Sequence, residues 1–108
     1  MELSSITHEL HESARRLRNG SSELFTLARE KAEAEKTYRL ALMRAIVGLK
    51  DEGKPATLIP DLARGQAADE KYSRDLADAK YTAGREALDS IKSQVSALQS
   101  ILRYQEEG

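Results

Sequence analysis

The chain contains no cysteine, only two prolines and few aromatic residues. Without cysteine it can form neither a disulfide framework nor a thiolate metal site. No stretch approaches the ~20 apolar residues of a membrane-spanning helix, so we expect no membrane contact. The formal net charge is −1 and no segment carries a basic stripe, which argues against direct nucleic-acid binding. The first residues have neither a positively charged stretch nor an apolar run, so we expect the protein in the cytoplasm.

The residues that are present favour long helices. Charged residues make up 32% of the chain and aromatic residues 5%, a balance that suits helices with a narrow apolar seam. Both prolines lie within residues 53–65, and the segments on either side have helical periodicity. We therefore predict an all-α fold in one domain over residues 1–108. It is a long antiparallel two-helix hairpin, similar to a coiled coil, with a helix at about 2–52, a connector at 53–65 and a helix at about 66–105.

The two predicted helices differ in regularity. Residues 18–22 of the first helix are poor helix formers, and we expect a continuous or merely kinked helix there because the apolar periodicity resumes afterwards. In the second helix the apolar residues from Tyr81 to Leu102 follow three- and four-residue steps, which is typical of a coiled-coil seam. Folding the arms back directly after the connector places Leu24 opposite Val95.

This arrangement predicts self-association. The first arm is predicted to be longer than the second, so its first apolar residues, Leu3, Ile6 and Leu10, have no expected partner within the chain. A lone pair of long helices buries only one seam and is not expected to be stable alone. We predict a homo-oligomer, a dimer or higher, that completes a helical bundle. Its expected interface consists of Leu3, Ile6, Leu10, Leu17, Leu24, Leu88, Ile91, Val95, Leu98 and Leu102.

The connector contains its own structural signals. Lys54 precedes a proline and should be extended, which ends the first helix near Gly53. Thr57 is placed to cap a short helix, with proline tolerated in its first turn. Gly65 could supply a left-handed residue that closes this helix.

Two interpretations of the connector are open. In the first, residues 58, 59 and 62 form a hydrophobic lid on the open end of the bundle. In the second, Lys54, Thr57 and Arg64 bind a small anionic ligand beside the backbone N–H groups of two helix starts.

The sequence offers little for catalysis. His8 and His11 share a helix face, but only Glu12 lies nearby as a further ligand, so we interpret them as surface residues. There is no Glu-x-x-His pair of a di-iron bundle and no glycine-rich phosphate loop. We predict no catalytic residue, no metal site, no cofactor and no enzymatic activity.

Five segments within residues 28–105 carry a resemblance: KAEAEK (31–36), YRLAL (38–42), DEGKPATLIPDLARG (51–65), RDLA (74–77) and SALQSIL (96–102). Through them the chain resembles a group of small helical proteins encoded by tailed phages and prophages of Gram-positive bacteria. The resemblance implies a phage accessory protein in the cytoplasm of a bacterial host cell.

These observations lead to two functional hypotheses. The first is a non-enzymatic homo-oligomer that binds and sequesters a ligand, either a nucleotide signal or a host protein, in anti-defence. The alternative is an accessory factor of phage DNA recombination or replication that acts by protein–protein contact. The expected partners are the chain itself and either a small anionic ligand or a host or phage protein.

Overall fold

A computed structural model describes residues 2–107, and within them the chain is all-helical, with three helices and no strand. Helix α1 is Leu3–Asp51, helix α2 is Ile59–Gln66 and helix α3 is Ala68–Glu107. The chain divides into two compact units. We call residues 2–26 with 82–107 the terminal unit, and residues 27–81 the central unit. The predicted all-α class and the long helix pair are confirmed.

Helix α1 is continuous through residues 18–22, as predicted. The Ser21 hydroxyl donates a hydrogen bond to the carbonyl oxygen of Leu17 at 2.8 Å, so this polar side chain is accommodated within the helix. Gly20 faces α3 in the terminal unit, where an added Cβ would lie 2.5 Å from Cδ2 of Leu88. Gly20 therefore serves close packing of α1 against α3 and does not interrupt α1.

Helix α1 ends in a Schellman motif. Gly53 has a φ of 78°, in the left-handed region that favours glycine. Its N–H donates to the Lys50 carbonyl oxygen at 3.0 Å, and the Lys54 N–H donates to the Leu49 carbonyl oxygen at 3.1 Å. These two bonds satisfy carbonyl groups that the helix end would otherwise leave free. The predicted end of the first helix near Gly53 is confirmed.

Helix α2 is already part of the returning arm in the central unit. Its buried residues Ile59 and Ala63 pack with Ala45 and Leu49 of α1. Only Ala67 separates α2 from α3, and helical hydrogen bonds pass through it: its N–H donates to Ala63, and its carbonyl oxygen accepts from the following turn, both at 3.0 Å. The return therefore starts at residue 59 and not at residue 66.

Two predicted caps are corrected by this arrangement. The N-cap of α2 is Leu58, and no side chain caps the helix, so Thr57 does not have that role. Gly65 lies inside α2, and within residues 2–107 only Gly53 has a positive φ. Pro60 occupies the first turn of α2, where its missing N–H removes no helical bond. Burial of residues 59 and 63 thus outweighs the weak helix propensity of this segment.

The earlier return also changes the pairing of the arms. In the terminal unit Gly20 lies against Leu88, whereas a return at residue 66 would have placed Leu24 opposite Val95. Ile6 is fully buried, so the expectation that it has no partner within the chain is wrong. Leu10 is half-buried and Leu3 remains exposed. The two arms are therefore closer in length than the sequence suggested.

Candidate functional site

The three residues predicted to bind an anion are all exposed in the central unit. Lys54 and Thr57 lie in the turn between α1 and α2, and the Lys54 ammonium forms no ion pair within residues 2–107. Arg64 lies on α2, where its Nη1 donates to Oδ1 of Asp61 at 2.8 Å. This carboxylate partly neutralises the guanidinium, which weakens its attraction for a second anion.

The residues predicted as an oligomer interface lie in the terminal unit, where the chain itself covers most of them. The buried ones are Ile6, Leu88, Ile91 and Leu98, the half-buried ones are Leu10, Leu17, Leu24, Val95 and Leu102, and Leu3 is exposed. Of this set, a second copy of the chain could therefore contact only Leu3 and the exposed parts of the half-buried residues.

Two reciprocal clusters join α1 to α3 in the central unit. In the first, Lys31 of α1 contacts two residues of α3. Its Nζ lies 3.1 Å from Oδ1 of Asp78 and 4.9 Å from the ring centroid of Tyr81. The ammonium is therefore held by a carboxylate and by the face of an aromatic ring at the same time.

In the second cluster the cation lies on α3 and its partners lie on α1. Arg74 of α3 contacts two residues of α1: its Nε lies 3.6 Å from Oε2 of Glu35, and its Cζ lies 4.5 Å from the ring centroid of Tyr38. Arg74 also donates from Nε and Nη2 to Oδ1 of Asp75 at 3.1 and 3.0 Å. This bond to Asp75, with the field of the nearby carboxylates, raises the pKa of Arg74.

The two clusters come from one sequence pattern that occurs twice. A basic residue is followed by an acidic residue at the fourth position after it and by a tyrosine three residues later. The first copy is Lys31, Glu35 and Tyr38, and the second is Arg74, Asp78 and Tyr81. Each cation contacts the acid and the tyrosine of the other copy. Sequence reasoning missed this repeat, although the identical spacing was readable.

The electrostatics around Asp75 extend the second cluster. Its carboxylate accepts a hydrogen bond from Lys71 Nζ at 2.9 Å as well as those from Arg74. The bonds from Lys71 and Arg74 stabilise the ionised form and lower the pKa of Asp75. The charges of α3 in this region are therefore largely used in contacts within the chain.

Apolar side chains remain exposed on each helix of the central unit. On α1, Met43 and Val47 are 52% and 51% exposed. At the start of the returning arm, Leu58 and Leu62 are 53% and 41% exposed, and on α3, Tyr72 and Leu76 are 69% and 43% exposed. The predicted lid is thus correct only for Ile59, which is buried. Contiguous exposed apolar residues of this kind commonly mark contact surfaces.

His8 and His11 are exposed on α1, and within residues 2–107 no three His, Cys, Asp or Glu side chains are grouped to hold a metal ion. None of the helices in the described part of the chain combines the length and the apolar character that crossing a membrane requires.

Comparison with known proteins gives no match to a protein-family model, to a curated protein or to a solved structure.

Proposed function

We propose that this chain is a non-enzymatic, self-associating protein that sequesters another protein on an apolar helix face. The observation that carries the proposal is the exposure of Met43 and Val47 on α1. They lie one helical turn apart and therefore share a face. Ala45 and Leu49 of the same helix are buried against α2, so the exposed pair lies outside the core that the chain forms for itself.

Such a face fits an amphipathic helix of a partner protein. A helix lying along α1 would place its own apolar residues at three- and four-residue steps against Met43 and Val47. Leu40, half-buried three residues before Met43, extends the same face. The flanking residues Arg44 and Lys50 are exposed and offer positive charge at the edge of this contact. The partner helix is therefore expected to carry acidic residues beside its apolar stripe.

The proposed setting follows from the resemblance to small helical proteins of tailed phages. In the cytoplasm of a bacterial cell, sequestration of a host protein would serve anti-defence. The same face could instead contact a phage recombination or replication protein. Both versions use protein–protein contact, and neither requires a catalytic residue, a cofactor or direct contact with nucleic acid.

A second candidate is capture of a small anionic ligand at the turn. It is supported by Lys54, whose ammonium has no ion-pair partner within residues 2–107, and by the exposed hydroxyl of Thr57 nearby in sequence. The pairing of Arg64 with Asp61 reduces the charge available for such a ligand. Protein contact is therefore the better-supported version.

The proposal can be tested by site-specific photo-crosslinking in cells that express the full chain. A crosslinking amino acid at position 47 is expected to capture a discrete partner. The matched control is position 30, which is also exposed on α1 but lies about 100° around the helix from Val47 and about 25 Å along it. Binding of the purified partner should then weaken at least tenfold in Val47→Asp, because burying an unpaired charge is costly, and should change little in Glu30→Gln.

Two results would overturn the proposal. One is equal crosslinking at positions 30 and 47 with no discrete partner. The other is native mass spectrometry showing a nucleotide-sized mass that is retained by the wild type and lost in Lys54→Ala with Arg64→Ala. The second result would establish the small-anion candidate in its place.

A further inference from the structure

A second exposed face runs along the returning arm of the central unit. Leu58, Leu62, Tyr72 and Leu76 are all exposed. Leu58 and Leu62 lie four residues apart, as do Tyr72 and Leu76, and two seven-residue steps lead from Leu62 to Leu76. Positions with this spacing share one helix face. Helical hydrogen bonds span Ala67, but its ψ of 17° departs from the helical value, so α2 and α3 are two separate helices along this arm. This face is distinct from the buried side of the arm that contacts α1.

The size of this face suits an interface. From their exposed fractions, the four side chains present roughly 400 Å² of surface, which is within the range of the largest and often functional patches of monomers. An antiparallel second copy that pairs Tyr72 with Leu76 would bury these two side chains of each copy, roughly 500 Å² in total. A specific interface buries about 1,200 Å² or more in total, so contacts by flanking residues along α3 supply the remainder.

Unpaired charges beside this face indicate what covers it. Asp69 lies one heptad after Leu62 and one heptad before Leu76, and Lys80 lies four residues after Leu76. Neither Asp69 nor Lys80 has an ion-pair partner within residues 2–107. Of the charged residues between them, Lys71, Arg74, Asp75 and Asp78 are engaged within the chain, whereas Glu70 is not, in the part of the chain that the structure describes.

The order of these residues is self-complementary. Asp69 precedes Tyr72 by three residues, and Lys80 follows Leu76 by four. If a second copy runs antiparallel about a two-fold axis near residue 74, Tyr72 of each copy meets Leu76 of the other. The same axis brings Asp69 of each copy to Lys80 of the other. One symmetry operation thus covers the apolar pair and forms two Asp69–Lys80 ion pairs.

We propose that two copies of the chain associate antiparallel through this face of α3, with reciprocal Tyr72–Leu76 contacts and two Asp69–Lys80 ion pairs. The proposal deepens the self-association that forms part of the proposed function, by naming its surface. Each hairpin of the central unit contributes two helices, so the dimer brings four helices together in this region, with the two copies of α3 in contact. The partner-binding face at Met43 and Val47 is a separate surface in this assignment.

Charge reversal provides the test, with sedimentation equilibrium of the full chain as the measurement. Wild-type protein should be dimeric. Asp69→Lys places like charges together twice, and so does Lys80→Asp, so each variant should dimerise about tenfold more weakly. An equimolar mixture of the two variants should recover wild-type association, because every lysine at position 69 then meets an aspartate at position 80. A folding defect could not produce this recovery.

Lys36→Asp is the matched control, since Lys36 is exposed on α1 and has no ion-pair partner in the described residues. It should dimerise like the wild type. The proposal is overturned if the wild type stays monomeric at high micromolar concentration. It is equally overturned if both reversals associate normally, or if their mixture does not recover. A monomer that still binds a partner through Val47 would remove the dimer and leave the sequestering function intact.

Discussion

Replacing glycines within α1 tests the close approach of α1 to α3. Gly20 and Gly48 both lie inside this helix, so alanine should improve the helix propensity at each by about 1 kcal/mol. The surroundings differ. No atom lies within 4 Å of a Cβ added at Gly48, whereas one added at Gly20 would lie 2.5 Å from Leu88 Cδ2. Leu88 is buried and has little room to move, so we expect overpacking to cost about 1–3 kcal/mol.

Gly48→Ala should therefore raise the free energy of unfolding by about 1 kcal/mol. Gly20→Ala should leave it unchanged or lower it by up to about 2 kcal/mol. The assay is urea unfolding followed by circular dichroism at 222 nm, at one fixed protein concentration. A cycle with Leu88→Ala identifies the cause: in that background the Gly20→Ala substitution should recover its full helix-propensity gain, because the clashing methyl group is gone. If Gly20→Ala stabilises the wild type as much as Gly48→Ala does, then α1 and α3 do not approach closely there.

The remaining predictions concern the central unit. Leu49→Ala should lower the free energy of unfolding by about 2–4 kcal/mol, because Leu49 is only 2% exposed. The control Val47→Ala should change it by less than about 0.5 kcal/mol. Equal effects of the two substitutions in urea unfolding would contradict the packing of α2 on α1. Gly53→Ala should lower it by about 1 kcal/mol, because alanine is strained at a φ of 78°, and Gly53→Asn, which tolerates this conformation, should lower it less. Asp75→Asn should be less stable than the wild type at pH 7. Since the pKa of Asp75 is lowered in the folded chain, this difference should persist down to about pH 4 and disappear as pH falls further; a pH-independent difference in unfolding midpoint would show that the ionised carboxylate is not responsible.

The helix pair could be predicted from the sequence because its signals are long and repeated. Three- and four-residue apolar steps and a single Pro-Gly segment were sufficient to identify two long helices and the end of the first near Gly53. The start of the second arm was missed, because Pro60 and Gly65 resemble helix breakers. Neither residue breaks α2. Pro60 lies in its first turn, and Gly65 lies within the helix, which is stabilised by burial of Ile59. Local propensity could not indicate this, since the decisive contact is with α1.

Of the candidate site, too, some features could be predicted from the sequence and others could not. Exposure of Lys54 and of most turn residues could be expected from their charge and position. The ion pair of Arg64 with Asp61 could also have been noticed, since the two residues are spaced for contact within one helical turn. The exposed faces at Val47 and Leu76 could not be read from apolar pattern alone, because the same pattern describes a buried seam. Only the pairing of the arms decides which stripe faces inward.

The Gly53 turn has a consequence for how the chain folds. Contacts beside the turn, such as Leu49 with Ile59, join residues close in sequence, whereas Gly20 and Leu88 are separated by most of the chain. Loop-closure entropy is small for the first kind and larger for the second. Association should therefore begin at the turn and proceed outward, with each new contact closing only a short additional loop once its inner neighbours have formed. A chain of this topology avoids the slow search that distant contacts usually impose, and the ends of its arms are expected to open first when stability is reduced.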